Sequence, residues 1–249
     1  MDAHQPEAVF ARERRCARVT GAWYLGLAIA GVVGFLLLRP AIYDPDDAAA
    51  TLRNLSTKEG LARLALGFEL ATVVTQALAA VWFYKLLRPI NAVAAWAVGA
   101  FGIVNAVAIL ASGAAVATAL EVADDVTLAP GADAAATAQL LFQLSQSFWG
   151  VGALFFGLWL IPMGWVAATS GRFPPALGWI LVVGGVAYVA SAFVEYAIEG
   201  APAWLVDLLA SPSTIGELWM IGYLLLVGIR RGEEGGLRRD SAVSARGAT

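Results

Sequence analysis

Long apolar stretches recur along this chain, and they constrain its fold more than any other feature. A helix needs about 20 apolar residues to cross a hydrocarbon core of about 30 Å. Stretches of this kind lie near residues 19–38, 61–84, 92–120, 138–168, 176–197 and 212–229. Because lipid offers backbone groups no hydrogen-bond partner, these stretches are predicted to be helices. The expected fold class is all-α, a polytopic integral membrane protein with six transmembrane helices.

The composition excludes the main alternatives. Of the 249 residues, 59% are hydrophobic and 14% are charged. Soluble domains contain about 45–50% apolar and about 25% charged residues, so a soluble domain or a disordered chain is excluded. The net charge of −3 also argues against a nucleic-acid partner.

The scarcity of cysteine and histidine limits the chemistry. Cys16 is the single cysteine and His4 the single histidine, so the sequence predicts neither a disulfide scaffold nor a histidine-based haem, zinc or catalytic site in the membrane. The two lysines, Lys58 and Lys85, lie at predicted helix ends, which excludes a mid-membrane Schiff base. We therefore expect no cofactor.

Basic residues predict the orientation. With six spans, one side of the membrane holds most of them: Arg12, Arg14, Arg15, Arg18, Lys85, Arg88, Arg172, Arg230, Arg231, Arg238, Arg239 and Arg246. The positive-inside rule then places both termini in the cytoplasm. The expected organisation is a cytoplasmic tail (1–17), one membrane domain (18–231) and a disordered cytoplasmic tail (232–249). The expected location is the bacterial cytoplasmic (inner) membrane.

Local signals predict several helix ends. The run Asp44-Pro45-Asp46-Asp47 before three alanines predicts a capped short helix, while Ser56 with Glu59 fits a capping box before the second span. The segment 202–210 is predicted to be an interfacial helix. Pro162 is expected to kink the fourth span unless a neighbour satisfies the freed carbonyl.

Small residues recur at helix-packing spacing. Gly26, Ala30 and Gly34 repeat every four residues on the first span. Further small positions are Gly150, Gly157, Gly178, Gly184 and Gly185. Such residues let helices approach closely, either within one chain or in a homo-oligomer or partner interface. Membrane lipids are the other expected partners.

Polar residues inside the spans are the main functional clue. Those predicted to line one pocket on the extracytoplasmic side are Glu69, Thr72, Gln76, Asn105, Gln143, Gln146 and Glu217. Glu69, Thr72 and Gln76 share one helix face by their spacing, and so do the glutamines of the fourth span. Polar groups in a membrane usually face a bundle interior or a cavity.

Each of these residues also has a structural interpretation. Glu217 can form a capping box with Thr214, and Asn105 can bond to a neighbouring helix. The row of Gln139, Gln143 and Gln146 can be a wetted helix extension. Arg63, six residues before Glu69, lies on another face, and no cation lies within the spans. Glu69 is therefore expected to be protonated, or to meet a cation from a ligand or another helix.

The sequence resembles a bacterial membrane-protein family described as a domain of unknown function, number 4386, over roughly residues 15–231. The motifs that carry the resemblance are RVTGAWYL from Arg18, NL…RLALGFEL from Asn54, and FWG…GLWLIPMG…SGRFPPALG from Phe148. The segment 98–105 lacks charges that some members carry there. The resemblance implies a six-helix topology and importance of Arg63 and Glu69, but no substrate.

Three functions remain open. The missing catalytic constellation and the small-residue stripes favour a structural or accessory membrane subunit. Convergent polar groups favour a small-molecule or ion-binding carrier or sensor with an outward-facing pocket. An intramembrane enzyme would depend on carboxylates or on a carboxylate-bound cation such as Mg²⁺.

Overall fold

The structure is a computed structural model that describes residues 5–231, and long helices dominate this range. The helices are α1 (Gln5–Gly31), α2 (Ala48–Thr57), α3 (Glu59–Leu87), α4 (Ala92–Asp124), α5 (Ala134–Thr169), α6 (Pro175–Ala197) and α7 (Ala203–Leu226). A π-helical segment, Val32–Leu38, continues α1 and leads into a 3₁₀ turn at Arg39–Ala41. Two more 3₁₀ turns, Val126–Leu128 and Pro130–Ala132, precede α5.

Within the described residues, five helical segments are long and apolar enough to cross a membrane. They are Glu7–Ala41, Glu59–Leu87, Ala92–Asp124, Ala134–Thr169 and Pro175–Ala197. Each overlaps one predicted span, which confirms an all-helical protein of multi-pass membrane character. The remaining long helix, α7, has 24 residues but carries Asp207, Glu217 and a Ser-Pro-Ser triplet that make it less apolar.

The helices extend further than the sequence analysis placed them. The helix α1 begins at Gln5, so residues 5–17 are helical and continuous with the first span. The predicted disordered tail, 232–249, lies outside the described residues. The predicted interfacial helix at 202–210 and the sixth apolar stretch form one helix, α7. This helix continues through Pro212 because the Ser211 hydroxyl donates to the Leu208 carbonyl (2.9 Å), which proline leaves without its usual partner.

Helix caps give one confirmed and one wrong prediction. Asp47 caps α2 as predicted, accepting a hydrogen bond from the Ala50 amide (2.8 Å). The capping box at the start of α3 is wrong. Because α2 continues to Thr57, Ser56 lies inside it and donates to the Leu52 carbonyl (3.2 Å). The N-cap of α3 is Lys58, which makes no side-chain capping bond.

The six long helices form a closed ring. Each packs against two others in the order α1, α3, α4, α5, α6, α7 and back to α1. The short helix α2 covers one end of the ring, where it contacts α3, α4 and α5. We call this the α2 end. A ring of six helices creates an interior that all of them can line.

Glycines permit the closest helix approaches in this ring. A Cβ built on Gly164 would lie 2.6 Å from the carbonyl oxygen of Gly178, and one on Gly157 would lie 2.8 Å from that of Gly185. The stripe on α1 likewise faces α3, since a Cβ on Gly34 would lie 3.0 Å from Cβ of Phe68. These small positions therefore serve packing within the chain.

Apolar residues fill the two ends of the ring more completely than its middle. At the α2 end, Ile42, Leu55 and Phe142 belong to one buried cluster. Toward the opposite end, Phe83 and Trp159 belong to a larger one. Between these clusters lie buried polar side chains, and this middle layer is the candidate functional site.

Candidate functional site

A cavity of about 300 Å³ occupies the middle of the ring. All six long helices line it. A packing defect between two neighbouring helices would be lined mainly by those two. The polar lining residues are Tyr24, Thr72, Gln76, Asn105, Tyr188, Thr214 and Glu217. We call this space the central cavity. Its volume is at the lower end of the range typical of small-molecule sites.

Gln76 is the most informative residue of the central cavity. Its side chain is 0% exposed, and neither Nε2 nor Oε1 has a hydrogen-bond partner among the described residues. Buried polar groups in native proteins are almost always hydrogen-bonded, and an unpaired amide costs about 1–3 kcal/mol. The described part of the protein therefore supplies no partner for the amide of Gln76, and a partner from outside it would be favourable.

Asn105 and Thr72 bring further polar groups to the same space. Asn105 is buried on α4, and its side chain lines the central cavity. Thr72 is buried on α3, one turn from Gln76, and its hydroxyl donates to the Phe68 carbonyl (2.8 Å). Because Thr72 is satisfied within its own helix, the amides of Gln76 and Asn105 are better suited to contact a ligand.

Glu217 supplies the carboxylate of the central cavity. The sequence allowed a capping box with Thr214, but α7 begins at Ala203, so Glu217 lies in mid-helix and that interpretation is wrong. Instead, the Tyr24 hydroxyl donates to Oε1 of Glu217. The Tyr24 ring is held edge-on between Phe83 and Trp159, with ring centroids 5.3 and 5.4 Å away. This packing fixes the donor and thereby the carboxylate.

Aromatic and aliphatic side chains form the rest of the wall. Trp149, Phe156 and Tyr188 line the cavity, and the rings of Phe156 and Tyr188 lie 5.5 Å apart. Few polar groups on a mostly apolar lining are the usual composition of a small-molecule site.

The cavity opens sideways between the π-helical segment and α7. Among its lining residues, Leu36 on the π-helical segment and Leu218 on α7 are 61% and 60% exposed. Both are apolar, so the mouth of the cavity has an apolar rim. The sequence analysis expected an opening toward the aqueous exterior.

A second polar cluster lies between the central cavity and the α2 end. Arg39 is 7% exposed and donates from Nη2 to Oγ of Ser145 (2.8 Å) and to the Phe142 carbonyl (3.3 Å). The Ser145 and Ser112 hydroxyls are hydrogen-bonded (2.6 Å), and Ser112 donates to Oε1 of Glu69. We call these four residues, Arg39, Ser145, Ser112 and Glu69, the Arg39–Glu69 network.

Trp149 joins this network to the central cavity. Its indole nitrogen donates to Oε1 of Glu69 (2.9 Å), while its ring lines the cavity. Beside the network lies a space of about 20 Å³ next to Arg39, whose Nε has no partner among the described residues. That volume holds about one water molecule. The network is thus almost fully satisfied and closed.

The sequence analysis did not identify Arg39 as a site residue, because Arg39 directly follows the first apolar stretch, 19–38. A π-helical segment has i→i+5 hydrogen bonds, which redirect the residues that follow it. Here Arg39 follows such a segment and points into the ring, where its guanidinium lies over the rings of Phe35 and Phe142 (5.2 and 5.8 Å). The sequence feature that could have identified Arg39 is its position one helical turn after Phe35, at the end of an apolar stretch. Arg39 is connected to Glu69 through the hydroxyls of Ser145 and Ser112, with no direct ion pair between the two side chains among the described residues.

The other predicted site residues lie elsewhere. Gln143 and Gln146 are exposed on α5 and do not line the cavity. Gln143 accepts a hydrogen bond from the Tyr43 hydroxyl (3.3 Å). Partial burial raises the pKa of Tyr43 above its ordinary value, so this hydroxyl remains a donor at neutral pH. Gln139 donates to the Asp44 and Pro45 carbonyls (both 2.9 Å). Gln139 and Gln143 therefore contact the loop before α2, and none of the three glutamines lines the central cavity.

Arg63 and Glu195 are also outside the site. Arg63 is exposed and pairs with Glu59 (2.6 Å) and Asp124 (3.2 Å). Glu195 is exposed near the end of α6. In residues 5–231 no three histidine, cysteine or acidic side chains come together as a metal site would require.

Comparison with known proteins identifies the family. No curated protein and no solved structure matches this chain significantly. A family model described as a domain of unknown function (DUF4386) matches residues 19–228, from the start of the first apolar stretch to the turn after α7. The match covers the six helices of the ring, apart from residues 5–18 of α1, and every residue of the central cavity. The chain therefore belongs to the DUF4386 family.

Proposed function

We propose that this protein is a membrane-embedded carrier or sensor that binds a small molecule with an apolar body and a polar group in the central cavity. The observation that carries this proposal is Gln76, a fully buried amide without a partner among the described residues, at the wall of a space of about 300 Å³. A ligand that hydrogen-bonds this amide would relieve the cost of leaving it unpaired.

A purely structural or accessory role accounts for less. Small residues that pack α5 on α6 and α1 on α3 would serve any helical bundle. A bundle whose only task is packing gains nothing from a polar cavity, because voids and unpaired amides both lower stability. The binding role explains why polar groups from α3, α4 and α7 converge there.

The proposed topology has six spans with both termini in the cytoplasm of a bacterial inner membrane. In support, α7 packs between α6 and α1 in the ring, and its 24 residues measure about 36 Å. Its carboxylate at Glu217 faces the cavity rather than lipid, which explains its lower apolarity. Access to the cavity is then from the bilayer, through the mouth between Leu36 and Leu218.

Three six-carbon probes test the binding role: hexylamine, 1-hexanol and hexanoate. The protein is reconstituted in lipid nanodiscs, and its Tm is measured at increasing probe concentration. A compound that binds the folded state raises Tm in a concentration-dependent way. We expect at least one probe to do so.

Two glycine substitutions provide the matched comparison. Gly31 lines the cavity, Gly67 lies on the exposed face of α3, and a Cβ at either would meet no atom within 4 Å. We expect Gly31→Leu to abolish the probe-dependent rise in Tm and Gly67→Leu to retain it. Absence of any rise with all three probes in the wild type, or an equal rise in Gly31→Leu, would contradict the proposal.

A further inference from the structure

We propose that the bound molecule is a lipophilic amine, held as its ammonium ion by Glu217. This inference rests on the proposed binding role and specifies its ligand class. It follows from three features of the cavity: the acidic residue in its lining, the hydrogen-bond acceptors that this residue leaves unused, and the aromatic side chains of its wall.

The lining of the cavity is acidic rather than basic. Among the described residues that line it, Glu217 is the single carboxylic acid, and none is lysine or arginine. The nearest buried cation, Arg39, lies beyond Trp149 and is already bonded to Ser145 and the Phe142 carbonyl. A carboxylate ligand would meet a second acidic group, whereas an ammonium ion would supply Glu217 with the positive charge that no side chain of the lining provides.

The carboxylate has capacity for such a ligand. Tyr24 uses Oε1 of Glu217, and no donor in residues 5–231 reaches Oε2. A carboxylate has about four acceptor positions, so one neutral donor leaves most of them open. An ammonium group has three N–H donors and could use the remaining oxygen together with the carbonyl oxygens of Gln76 and Asn105.

The aromatic wall also suits a cation. Tyr24, Trp149, Phe156 and Tyr188 line the same space. The faces of aromatic rings attract cations, and aromatic-lined pockets are a common means of binding ammonium groups. The aliphatic lining at Leu27, Ile109 and Ile221 provides room for the apolar body. The lateral mouth matches a molecule that partitions into the bilayer.

The three probes distinguish this inference from the binding role itself. They share one hydrocarbon chain and differ in charge at pH 7, where an alkylamine with a pKa near that of lysine, about 10.4, is protonated. We expect hexylamine to bind about tenfold more tightly than 1-hexanol, since hydrogen bonds to charged groups are the stronger class. We expect hexanoate to bind most weakly.

Substitution of the carboxylate supplies the decisive comparison. Glu217→Gln keeps the shape and an acceptor for Tyr24 but removes the charge, so the preference for hexylamine over 1-hexanol is expected to fall to about twofold or less. Glu195→Gln, which neutralises an exposed acid on α6, is the control and should keep the full preference. If Glu217→Gln does not fold, Tyr24→Phe tests the same point, because it retains the carboxylate and must retain the preference.

The outcomes separate the two proposals. Equal binding of hexylamine and 1-hexanol by the wild type would overturn the amine assignment and leave the binding role standing. The amine assignment is also overturned if Glu217→Gln keeps the preference or Tyr24→Phe loses it. Failure of all three probes to bind would overturn both proposals.

Discussion

Two groups of buried polar residues lie side by side in this bundle and differ in how their hydrogen bonds are met. In the Arg39–Glu69 network, every residue has a protein partner and the adjoining space holds about one water. In the central cavity, the amide of Gln76 has none among the described residues, and the space is about 300 Å³. Glu69 and Gln76 are on the same face of α3, about 10 Å apart by helical rise.

The comparison shows that polarity within a membrane span does not by itself identify a ligand site. Both groups are polar and buried, and both include residues of α3 and α4. They differ in whether the buried side chains have protein partners, since each residue of the network has at least one and the amide of Gln76 has none among the described residues. We interpret the network as a structural clamp that closes the α2 end, and the central cavity as the binding site.

The strongest test of this distinction removes the cation of the network. Arg39→Met removes the guanidinium that donates to Ser145 and to the Phe142 carbonyl, and Ser145 and Ser112 link that guanidinium to the buried Glu69. Hydrogen bonds to charged groups contribute about 1.5–3 kcal/mol each, so the loss in the free energy of unfolding is about 3 kcal/mol. We expect a loss of this size in denaturant unfolding of detergent-solubilised protein. Arg53→Met, at an exposed arginine of α2, is the control. A loss below about 1 kcal/mol would show that the network is not a clamp.

Removal of a linking hydroxyl should cost less. Ser145→Ala deprives Arg39 of its 2.8 Å partner and Ser112 of a neighbour, and we expect a loss of about 2 kcal/mol. A double-mutant cycle with Ser112→Ala should be non-additive, because both hydroxyls belong to one chain of hydrogen bonds. Additive losses would mean that the two serines act independently.

Substitution of Gln76 in the central cavity should raise the free energy of unfolding rather than lower it. Gln76→Leu removes an unpaired buried amide, and we expect the free energy of unfolding without ligand to rise by about 1 kcal/mol. Binding of the most tightly bound probe should weaken about tenfold, as expected for a lost hydrogen bond. Stability and binding are measured on the same preparation. A destabilised Gln76→Leu would show that the amide has a partner in the protein.

The smallest effect is expected outside both groups. Gln146 is exposed on α5, so Gln146→Leu should change the free energy of unfolding by less than about 0.5 kcal/mol and leave probe binding unchanged. Unfolding and Tm titrations check this. A clear loss of binding would place the glutamine row in the site after all.

Particular residues show how far the sequence could predict this arrangement. The five segments that can cross a membrane follow from apolar length alone, and the cap at Asp47 follows from local chemistry. Burial of Gln76 on the face of Glu69 follows from helical periodicity, which depends only on spacing within one helix. These features are local, so neighbouring residues suffice to predict them.

The failures involve residues whose role depends on another helix. Arg39 is one such residue, because its partner Ser145 is 106 positions away and a π-helical segment turns it toward that partner. The cap interpretation of Glu217 is wrong because α7 begins at Ala203, and the partner of Glu217, Tyr24, is 193 positions away. The glutamine row has the correct periodicity for a lining face, but that face contacts the loop before α2.

The amino-acid sequence alone determined that this chain is a helical membrane protein with acidic and amide groups in its spans, since apolar length and periodicity are properties of each segment. The tertiary structure decided which of those groups have partners. Hydrogen-bond satisfaction is a property of pairs of helices, and only the closed ring distinguishes the satisfied Glu69 from the unpaired Gln76 two turns away.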